Sequence, residues 1–364
     1  MIDTPWVLVW GASKIVMSSI VPTLLNYSNK MIFVTSGSEN LSELEYVRLT
    51  PQARDSYGLF YASDDDFSSV DDVINEAKKR EARVVIVAAH SRLYSSLLEE
   101  NPPPVAVFSG CRDGIFGYME EISSIIPDKK LEILTVDNNE IMVQNAIDVA
   151  PANITIFPCS VHCVCDSCTV SNDGKEMLVH CTVTSKLLIN GNFGRFDLLF
   201  KYSLGINQHV RAYYIPAEFM KDYATLKLIN VNLIHTVISV VAYVTGINKG
   251  MTVEEIAHSR YSDILDRESY IKYVDMVYND LNTKIIRPIE EAVGEQIVID
   301  HDDTLEFLDW TLSDDSTEVI GRGLNTLSDD FRIKLEYHES IFNLLSASEF
   351  TEVFDTFKEE FNIT

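Results

Sequence analysis

The first half of the chain alternates between continuous hydrophobic runs and segments with helical spacing, and this alternation limits the possible folds more than any other feature. Six runs have the length of strands: WVLVW (6–10), MIFVT (31–35), VVIVAA (84–89), VAVFSG (105–110), LEILTV (131–136) and ITIFPC (154–159). Between them, VDDVINEAKKREA (70–82) has the spacing of an amphipathic helix. Val- and Ile-rich runs without polar alternation are typical of parallel strands covered by helices on both faces. The pattern predicts a doubly wound, Rossmann-like α/β domain.

The second half of the chain has a different pattern. Two more strand-like runs, EMLVHCTVTSKLLI (176–189) and FDLLFKYSL (196–204), extend the first domain. Helical spacing then predominates in six segments: 217–245, 252–264, 267–293, 302–312, 325–343 and 347–361. The sequence therefore predicts a dinucleotide-binding domain over residues 1–205 and an all-helical substrate and catalytic domain over residues 206–364.

Charge and composition narrow the class of protein. The 364 residues include 29 Lys and Arg against 55 Asp and Glu, a formal net charge of −26. Nucleic acids and anionic membranes bind clustered cations, so this balance argues against both as partners. The apolar run 228–247 has the length of a membrane span, but Asn230, Asn232 and His235 would be costly in lipid. We expect a core helix there and a small-molecule substrate, and oligomeric state stays open.

The N-terminal residues, MIDTPWVLVWGAS, have no basic region before the first strand-like run and do not resemble a signal peptide. Without a secretion signal, the six cysteines are expected to be reduced thiols. We therefore expect a cytoplasmic protein.

The turn after the first strand, VWGASKIVMSSIV (9–21), is where a Rossmann domain binds the pyrophosphate of a dinucleotide. Gly11 occupies the first position of the G-x-G-x-x-G pattern, but Ser13 and Val16 replace the second and third glycines. The turn predicts either an altered dinucleotide site or a Rossmann scaffold that has lost it. The candidate cofactor-binding residues here are Gly11, Ala12, Ser13, Lys14 and Ile15.

The end of the second strand lacks the acidic residue that binds the adenosine ribose in NAD-dependent Rossmann domains. Thr35, Ser36 and Ser38 stand there instead. Small hydroxyl residues can receive a 2′-phosphate, which favours NADP over NAD, or they can mean that no dinucleotide binds. Thr35 and Ser36 are therefore candidate cofactor contacts.

Three polar residues share one arc of the apolar segment in the second half. A helix turns by about 100° per residue, so with Lys227 at zero His235 lies at about 80° around the helix axis and Asn232 at about 140°. A desolvated lysine has a lowered pKa and can act as a general base, while an amide and an imidazole can hold the reacting oxygen. The alternative is a solvated lysine at a helix start and a core histidine bonded to backbone.

The K-x4-N-x2-H motif in ATLKLINVNLIHT (224–236) resembles the ERKLFTINTGHA pattern of the polyol-specific long-chain dehydrogenases, the mannitol dehydrogenase and mannitol-1-phosphate 5-dehydrogenase family. DDSTEVIGRGLNTLSDDFRIKL (314–335) resembles that family's C-terminal VGR…L…DR segment, and VDNNE (136–140) resembles a strand end near its nicotinamide. IFPCSVHCVC (156–165) occupies the place of an FPNS-x-VDR signature, with Cys163-Val164 replacing its Asp-Arg.

The resemblance implies a fold similar to 6-phosphogluconate dehydrogenase, with a Rossmann domain followed by a helical domain. It implies Lys227 as general base, with Asn232 and His235 polarising the substrate oxygen. It also implies Asn138 as a nicotinamide contact and Arg322 and Arg332 as substrate contacts.

Four cysteines and a histidine fall within ten residues: Cys159, His162, Cys163, Cys165 and Cys168. Zinc binds such ligands when they converge. On a strand, however, Cys163 and Cys165 face one way and His162 the other. The spacing favours structural, reduced thiols and no metal, with a zinc site and a redox pair as alternatives.

Together these features predict an NAD- or NADP-dependent oxidoreductase that interconverts a secondary alcohol and a ketone. Its expected substrate is a polyol, a sugar phosphate or a related polar metabolite. Two alternatives stay open. One is a catalytically silent protein that binds a metabolite or partner in the inherited cleft, and the other uses the lysine for non-redox Schiff-base chemistry.

Overall fold

The computed structural model describes residues 6–37, 41–50, 55–100, 102–103, 105–109, 114–136, 140–163, 165–181, 185–195, 199–200, 210–220 and 287–293. The chain divides into two compact units, Met1–Met220 and Lys221–Thr364. In the second unit the described residues form one helix, so the other predicted helices lie outside the described residues.

The described residues of the first unit include twelve strands: β1 (Trp6–Trp10), β2 (Met31–Ser36), β3 (Tyr46–Thr50), β4 (Asp55–Ala62), β5 (Val84–Ala88), β6 (Val105–Phe108), β7 (Leu131–Thr135), β8 (Ile154–His162), β9 (Cys165–Val170), β10 (Glu176–Cys181), β11 (Ser185–Asn190) and β12 (Val210–Ile215). They lie in one sheet in the order β12-β11-β8-β7-β6-β1-β2-β5-β4-β3-β10-β9.

The centre of the sheet is parallel from β8 to β4. If β1, β2, β5, β6, β7 and β8 are numbered one to six along the chain, their order is 6-5-4-1-2-3. This is the strand order of a dinucleotide-binding Rossmann domain. The predicted Rossmann-like fold is therefore confirmed by the connectivity of the sheet.

In the described residues of the first unit, a π-helical segment (Val16–Ile20) and five α-helices accompany the sheet: α1 (Val21–Tyr27), α2 (Val70–Lys79), α3 (Arg92–Glu100), α4 (Gly114–Ile125) and α5 (Glu140–Val149). The described helix of the second unit is α6 (Arg287–Val293). A short 3-10 helix covers Ala217–Phe219. Ser69 is the N-cap of α2, because its side chain accepts a hydrogen bond from the Asp72 amide at 3.2 Å. The local sequence thus determines where this helix begins.

The sheet has a hydrophobic layer on each face. In β1, Val7 and Val9 belong to the layer that contains the π-helical segment and α1, while Leu8 and Trp10 belong to the layer packed against α2–α5. Alternation of side chains along a strand explains this division. Because both faces of the central strands are buried, their sequences read as continuous hydrophobic runs.

The helix that follows β1 is enclosed by both ends of the sheet. Every residue from Val16 to Asn26 is buried. At one end of the sheet, the Asn26 side chain donates to the Val210 carbonyl of β12 at 3.3 Å. On the other side of β1, the Tyr57 hydroxyl of β4 donates to the Met17 carbonyl at 2.6 Å. The outer strands thus wrap around this helix.

Four strands of the sheet were not predicted from the sequence: β3, β4, β9 and β12. Of these, β12 continues the sheet beyond Gly205, where the predicted first domain ends, and pairs in parallel with β11. Most of the run 196–204 lies outside the described residues, and the two described positions, Leu199 and Phe200, are not in a strand. The division at residue 205 stays a prediction.

Candidate functional site

The strand order predicts a crevice at the carboxyl ends of β1 and β6. From β1 the chain adds β2 and β5 on one side of β1. It then returns to add β6, β7 and β8 on the other side, so β1 and β6 are neighbours at the switch point of the sheet. In open α/β sheets, ligands bind outside the carboxyl ends of the strands at such a switch point. The crevice is therefore the candidate functional site of the described unit.

Gly11, directly after β1, forms one wall of the crevice with a φ of 87°. A Cβ atom at this position would lie 2.8 Å from the Ser109 carbonyl oxygen, which follows β6. Side chains rarely adopt this backbone conformation, and no Cβ atom fits against that carbonyl. The first glycine of the predicted pattern is therefore required by the turn itself.

Ser13 begins the helix that follows the turn. Its Oγ accepts a hydrogen bond from the Val16 amide at 3.3 Å, and its carbonyl accepts one from Met17 at 3.0 Å. This is the geometry of an N-cap residue. Ser13 and Lys14 are exposed, and Ala12 and Ile15 are half-buried. The replacement of the second glycine therefore leaves a capped helix whose N-terminus faces the crevice side of the sheet.

Val16, at the third glycine position, is fully buried and begins the π-helical segment. The sequence predicts that Val16 separates helix and strand or hinders a cofactor, because glycine at this position permits close packing. In the structure Val16 belongs to the hydrophobic layer that contains Val9. The departure from the glycine pattern coincides with a departure from α-helical winding, a feature frequent at functional sites.

The end of β2 is tied to the turn. The Thr35 hydroxyl accepts a hydrogen bond from the Gly11 amide at 3.2 Å, and Thr35 is fully buried. Ser36 is buried as well, whereas a Cβ atom at Gly37 would meet nothing within 4 Å. The Thr35 hydroxyl thus supports the turn. Open space for a ligand at this strand end begins at Gly37.

On the α3–α4 side of the crevice lies an aromatic and hydrogen-bonded network that was not predicted from the sequence. Trp10 Nε1 donates to the Tyr94 hydroxyl at 3.0 Å. The Tyr118 ring contacts Trp10 at 5.3 Å between centroids and His90 at 6.1 Å. His90 Nδ1 lies 3.0 Å from Glu121 Oε1. A histidine two residues after a buried parallel strand was the available signal.

Burial raises the pKa of Tyr94, and the negative charge of Glu121 adds to this rise, while the hydrogen bond from Trp10 opposes it. Tyr94 therefore stays a neutral hydroxyl. Glu121 Oε2 is buried and has no hydrogen-bond partner among the described residues. The carboxylate of Glu121 is thus held at the edge of an aromatic layer, with His90 as its hydrogen-bonded neighbour.

A buried thiol cluster lies behind the turn, next to the π-helical segment. Cys163 and Cys165 face the same side, as predicted, with 3.8 Å between their sulfur atoms. The Ser18 Oγ lies 2.7 Å from the Cys165 sulfur and donates to the Lys14 carbonyl at 2.7 Å. Cys181 is opposite Cys165 in the β9–β10 pairing. The cluster packs against the first helix.

Cys165 of this cluster and Cys159 of β8 are expected to be unreactive in the folded protein. The contact with Cys163, together with burial, raises the pKa of Cys165, and burial raises the pKa of Cys159 to about 12. The thiolate is the nucleophile, so alkylation at pH 8 should be slow until the fold opens. Peptide mass spectrometry after iodoacetamide treatment should find both residues unlabelled in the native protein and labelled in concentrated guanidinium chloride.

Cys168 provides the internal control for this experiment, because its side chain is only half-buried and should be labelled earlier. Labelling of Cys165 as fast as that of Cys168 would show that the cluster is accessible and would favour the redox alternative.

Some predicted site residues lie outside the described residues: Lys227, Asn232, His235, Asn138, Arg322 and Arg332. The apolar run 228–247 lies outside them too. Within the described ranges, no helix is long and apolar enough to cross a membrane. In the same ranges, no three His, Cys, Asp or Glu side chains converge as metal ligands would.

No protein-family model matches this chain, and no curated protein matches it. The resemblance to polyol dehydrogenases therefore stays a prediction.

Several solved structures are similar to the chain. D-mandelate dehydrogenase in complex with NADH has 12% sequence identity and a TM-score of 0.40, and the match covers 87% of this chain and 81% of that one. A putative 2-dehydropantoate 2-reductase from Enterococcus faecalis has 10% identity, a TM-score of 0.37 and coverages of 93% and 99%. Glycerol-3-phosphate dehydrogenase from Coxiella burnetii has 7% identity, a TM-score of 0.39 and coverages of 95% and 90%. Similarity of this extent assigns no activity to this chain.

Proposed function

We propose that the protein is an NAD- or NADP-dependent oxidoreductase that interconverts a secondary alcohol and a ketone of a polar metabolite. The observation that carries the proposal is the Rossmann strand order, with Gly11 at a φ of 87° in the turn beside the switch point. A polyol or a sugar phosphate is the substrate class that the sequence motif favours.

The residues of the turn fit the pyrophosphate of a dinucleotide. Gly11 allows the turn to lie close to the Ser109 carbonyl, and the capped helix after Ser13 presents amide groups of its first turn. Such amide groups and the helix dipole favour an anion. With a net charge of −26, the protein needs local positive potential wherever a phosphate binds. Lys14, exposed in the first turn of this helix, supplies a cation there.

Lys227, Asn232 and His235 are the proposed reaction residues. Lys227 accepts the proton of the substrate hydroxyl, and Asn232 and His235 hold the oxygen as its charge changes. The nicotinamide supplies the hydride acceptor when it is bound. Arg322 and Arg332 are proposed to bind an anionic or hydroxylated substrate, and Asn138 to contact the nicotinamide. The K-x4-N-x2-H spacing supports these assignments.

The second candidate function is binding without redox chemistry, in the inherited crevice or through a Schiff base on Lys227. Two observations favour this second function. The last two glycines of the dinucleotide-binding pattern are absent, and the buried Thr35 hydroxyl accepts a hydrogen bond from the Gly11 amide instead of binding a cofactor. Trapping with borohydride in the presence of a carbonyl substrate would label Lys227 only if it forms a Schiff base.

Cofactor titration tests the proposal directly. β2 ends in Thr35 and Ser36 and not in the acidic residue that binds an adenosine ribose, and a Cβ atom at Gly37 would meet nothing within 4 Å. We therefore expect NADPH to bind more tightly than NADH, and both to bind weakly because the glycine pattern is incomplete. Fluorescence or calorimetric titration of the purified protein measures both dissociation constants.

Tight binding of NADH without any response to NADPH would show that the interpretation of the β2 end is wrong. Binding of neither dinucleotide would leave the non-redox alternative as the better account of the chain.

A further inference from the structure

We propose that His90, held by Glu121, accepts a hydrogen bond from a ribose hydroxyl of a dinucleotide bound at the crevice. This inference rests on the proposed function and adds a contact from the loop after β5, the strand paired with β2. This hydrogen bond would replace the one that an acidic residue at the end of β2 makes to the ribose in other Rossmann domains.

His90 lies at the carboxyl edge of the sheet, beside the place where the missing acid would be. It comes two residues after β5, the strand paired with β2, and the pairing continues as the Ala89 amide donates to the Ser36 carbonyl at 2.9 Å. In a Rossmann domain the end of the second strand carries the hydrogen-bond acceptor for a ribose. The neighbouring strand therefore delivers an acceptor to the same edge.

The backbone of His90 adopts a left-handed conformation, with a φ of 62°. Outside glycine such a conformation is uncommon, and residues that keep it cluster at ligand-binding and catalytic sites. The conformation places the imidazole against α4 instead of along β5. Its side chain is 69% exposed, so the ring is accessible to a ligand.

Two contacts hold the ring of His90 in one orientation. The ring stacks on Tyr118 with an interplanar angle of 9°, and Nδ1 lies 3.0 Å from Glu121 Oε1. A carboxylate can only accept, so Nδ1 donates to Glu121, and this tautomer of the imidazole has Nε2 as its acceptor. The second oxygen of Glu121 is buried without a partner among the described residues. The pair thus presents a fixed acceptor to a hydroxyl group.

The same contacts connect the ring to the switch point. Tyr118 also packs against Trp10 and Phe108, with ring centroids 5.3 and 5.9 Å apart. Trp10 is the last residue of β1 and Phe108 the last of β6, the two strands that border the crevice. The Tyr118 ring therefore connects His90 to the ends of the two strands that border the crevice.

The test is a double-mutant cycle on cofactor binding. His90→Asn removes the imidazole but keeps a residue that tolerates the left-handed conformation, and His90→Gly keeps that conformation without a side chain. Glu121→Gln lets an amide donate to Nδ1, which turns Nε2 into a donor. Each change should raise the dissociation constants of NADH and NADPH by about threefold to tenfold, the usual worth of one hydrogen bond.

The effects of His90→Asn and Glu121→Gln should not add, because Glu121 acts through His90. Melting temperatures should stay near that of the parent protein. Lys175→Ala is the matched control, since it removes a surface pair with Glu45 of 2.7 Å and should leave both dissociation constants unchanged.

Four results would overturn the inference. Unchanged dissociation constants in both His90 variants, with or without a lower melting temperature, would make the pair structural and leave the proposed function intact. A loss confined to NADPH would place His90 on the 2′-phosphate. Additive effects in the cycle would remove the role of Glu121. If the parent protein binds neither NADH nor NADPH, the proposed function fails first and this inference fails with it.

Discussion

Replacement of Gly11 by alanine is expected to destabilise the protein by about 2–5 kcal/mol and to abolish measurable dinucleotide binding. A side chain at positive φ costs roughly 1–2 kcal/mol, and overpacking costs typically 1–3 kcal/mol more. Overpacking is expected because the new Cβ atom would lie 2.8 Å from a backbone carbonyl oxygen, that of Ser109. That oxygen cannot move without disturbing β6. The turn and the crevice should therefore distort together.

Denaturant unfolding and NADPH titration of Gly11→Ala measure the two effects. Gly117→Ala is the matched control, because Gly117 lies inside α4 and its Cβ atom would meet nothing within 4 Å. That change should be neutral or stabilise the protein by up to about 1 kcal/mol. If Gly11→Ala unfolds at the parent's denaturant concentration, the turn does not have the geometry described here.

Replacement of Lys227 by methionine is expected to lower turnover by about 10²–10⁴, the usual worth of a positioned general base. Methionine keeps an unbranched apolar stem and removes only the amine. If Lys227 is desolvated in the reacting complex, loss of its charge removes a solvation cost, so folding should be nearly unaffected. Steady-state rates and thermal melts on the same variant separate chemistry from stability.

Lys79→Met is the control for this substitution, since Lys79 is exposed on α2 and forms an ion pair with Glu76 at 3.2 Å. Exposed pairs of this kind contribute little, and turnover should match that of the parent. A Lys227→Met protein that melts early but turns over at the parent rate would make Lys227 a structural residue. The assignment of Asn232 and His235 would then fail with it.

The central sheet could be predicted because its strands are buried on both faces. All five residues of β1 are buried, so its sequence is hydrophobic throughout, and the same holds for the four residues of β6. Burial of this kind leaves a local signal that needs no knowledge of the partner strands. The outer strands β3 and β9 have exposed positions such as Tyr46 and Val170, and their weaker pattern was not recognised.

The sequence alone determined that the first half is a Rossmann-like sheet, that Gly11 stands at its first turn, and that no acidic residue ends β2. These follow from residue type and local spacing. Only the tertiary structure decided that the Thr35 hydroxyl is used by the Gly11 amide, 24 residues away, and that His90 meets Glu121 across 31 residues. Such pairs depend on the order of strands in the sheet, which brings distant loops to one edge, and no local periodicity records that order.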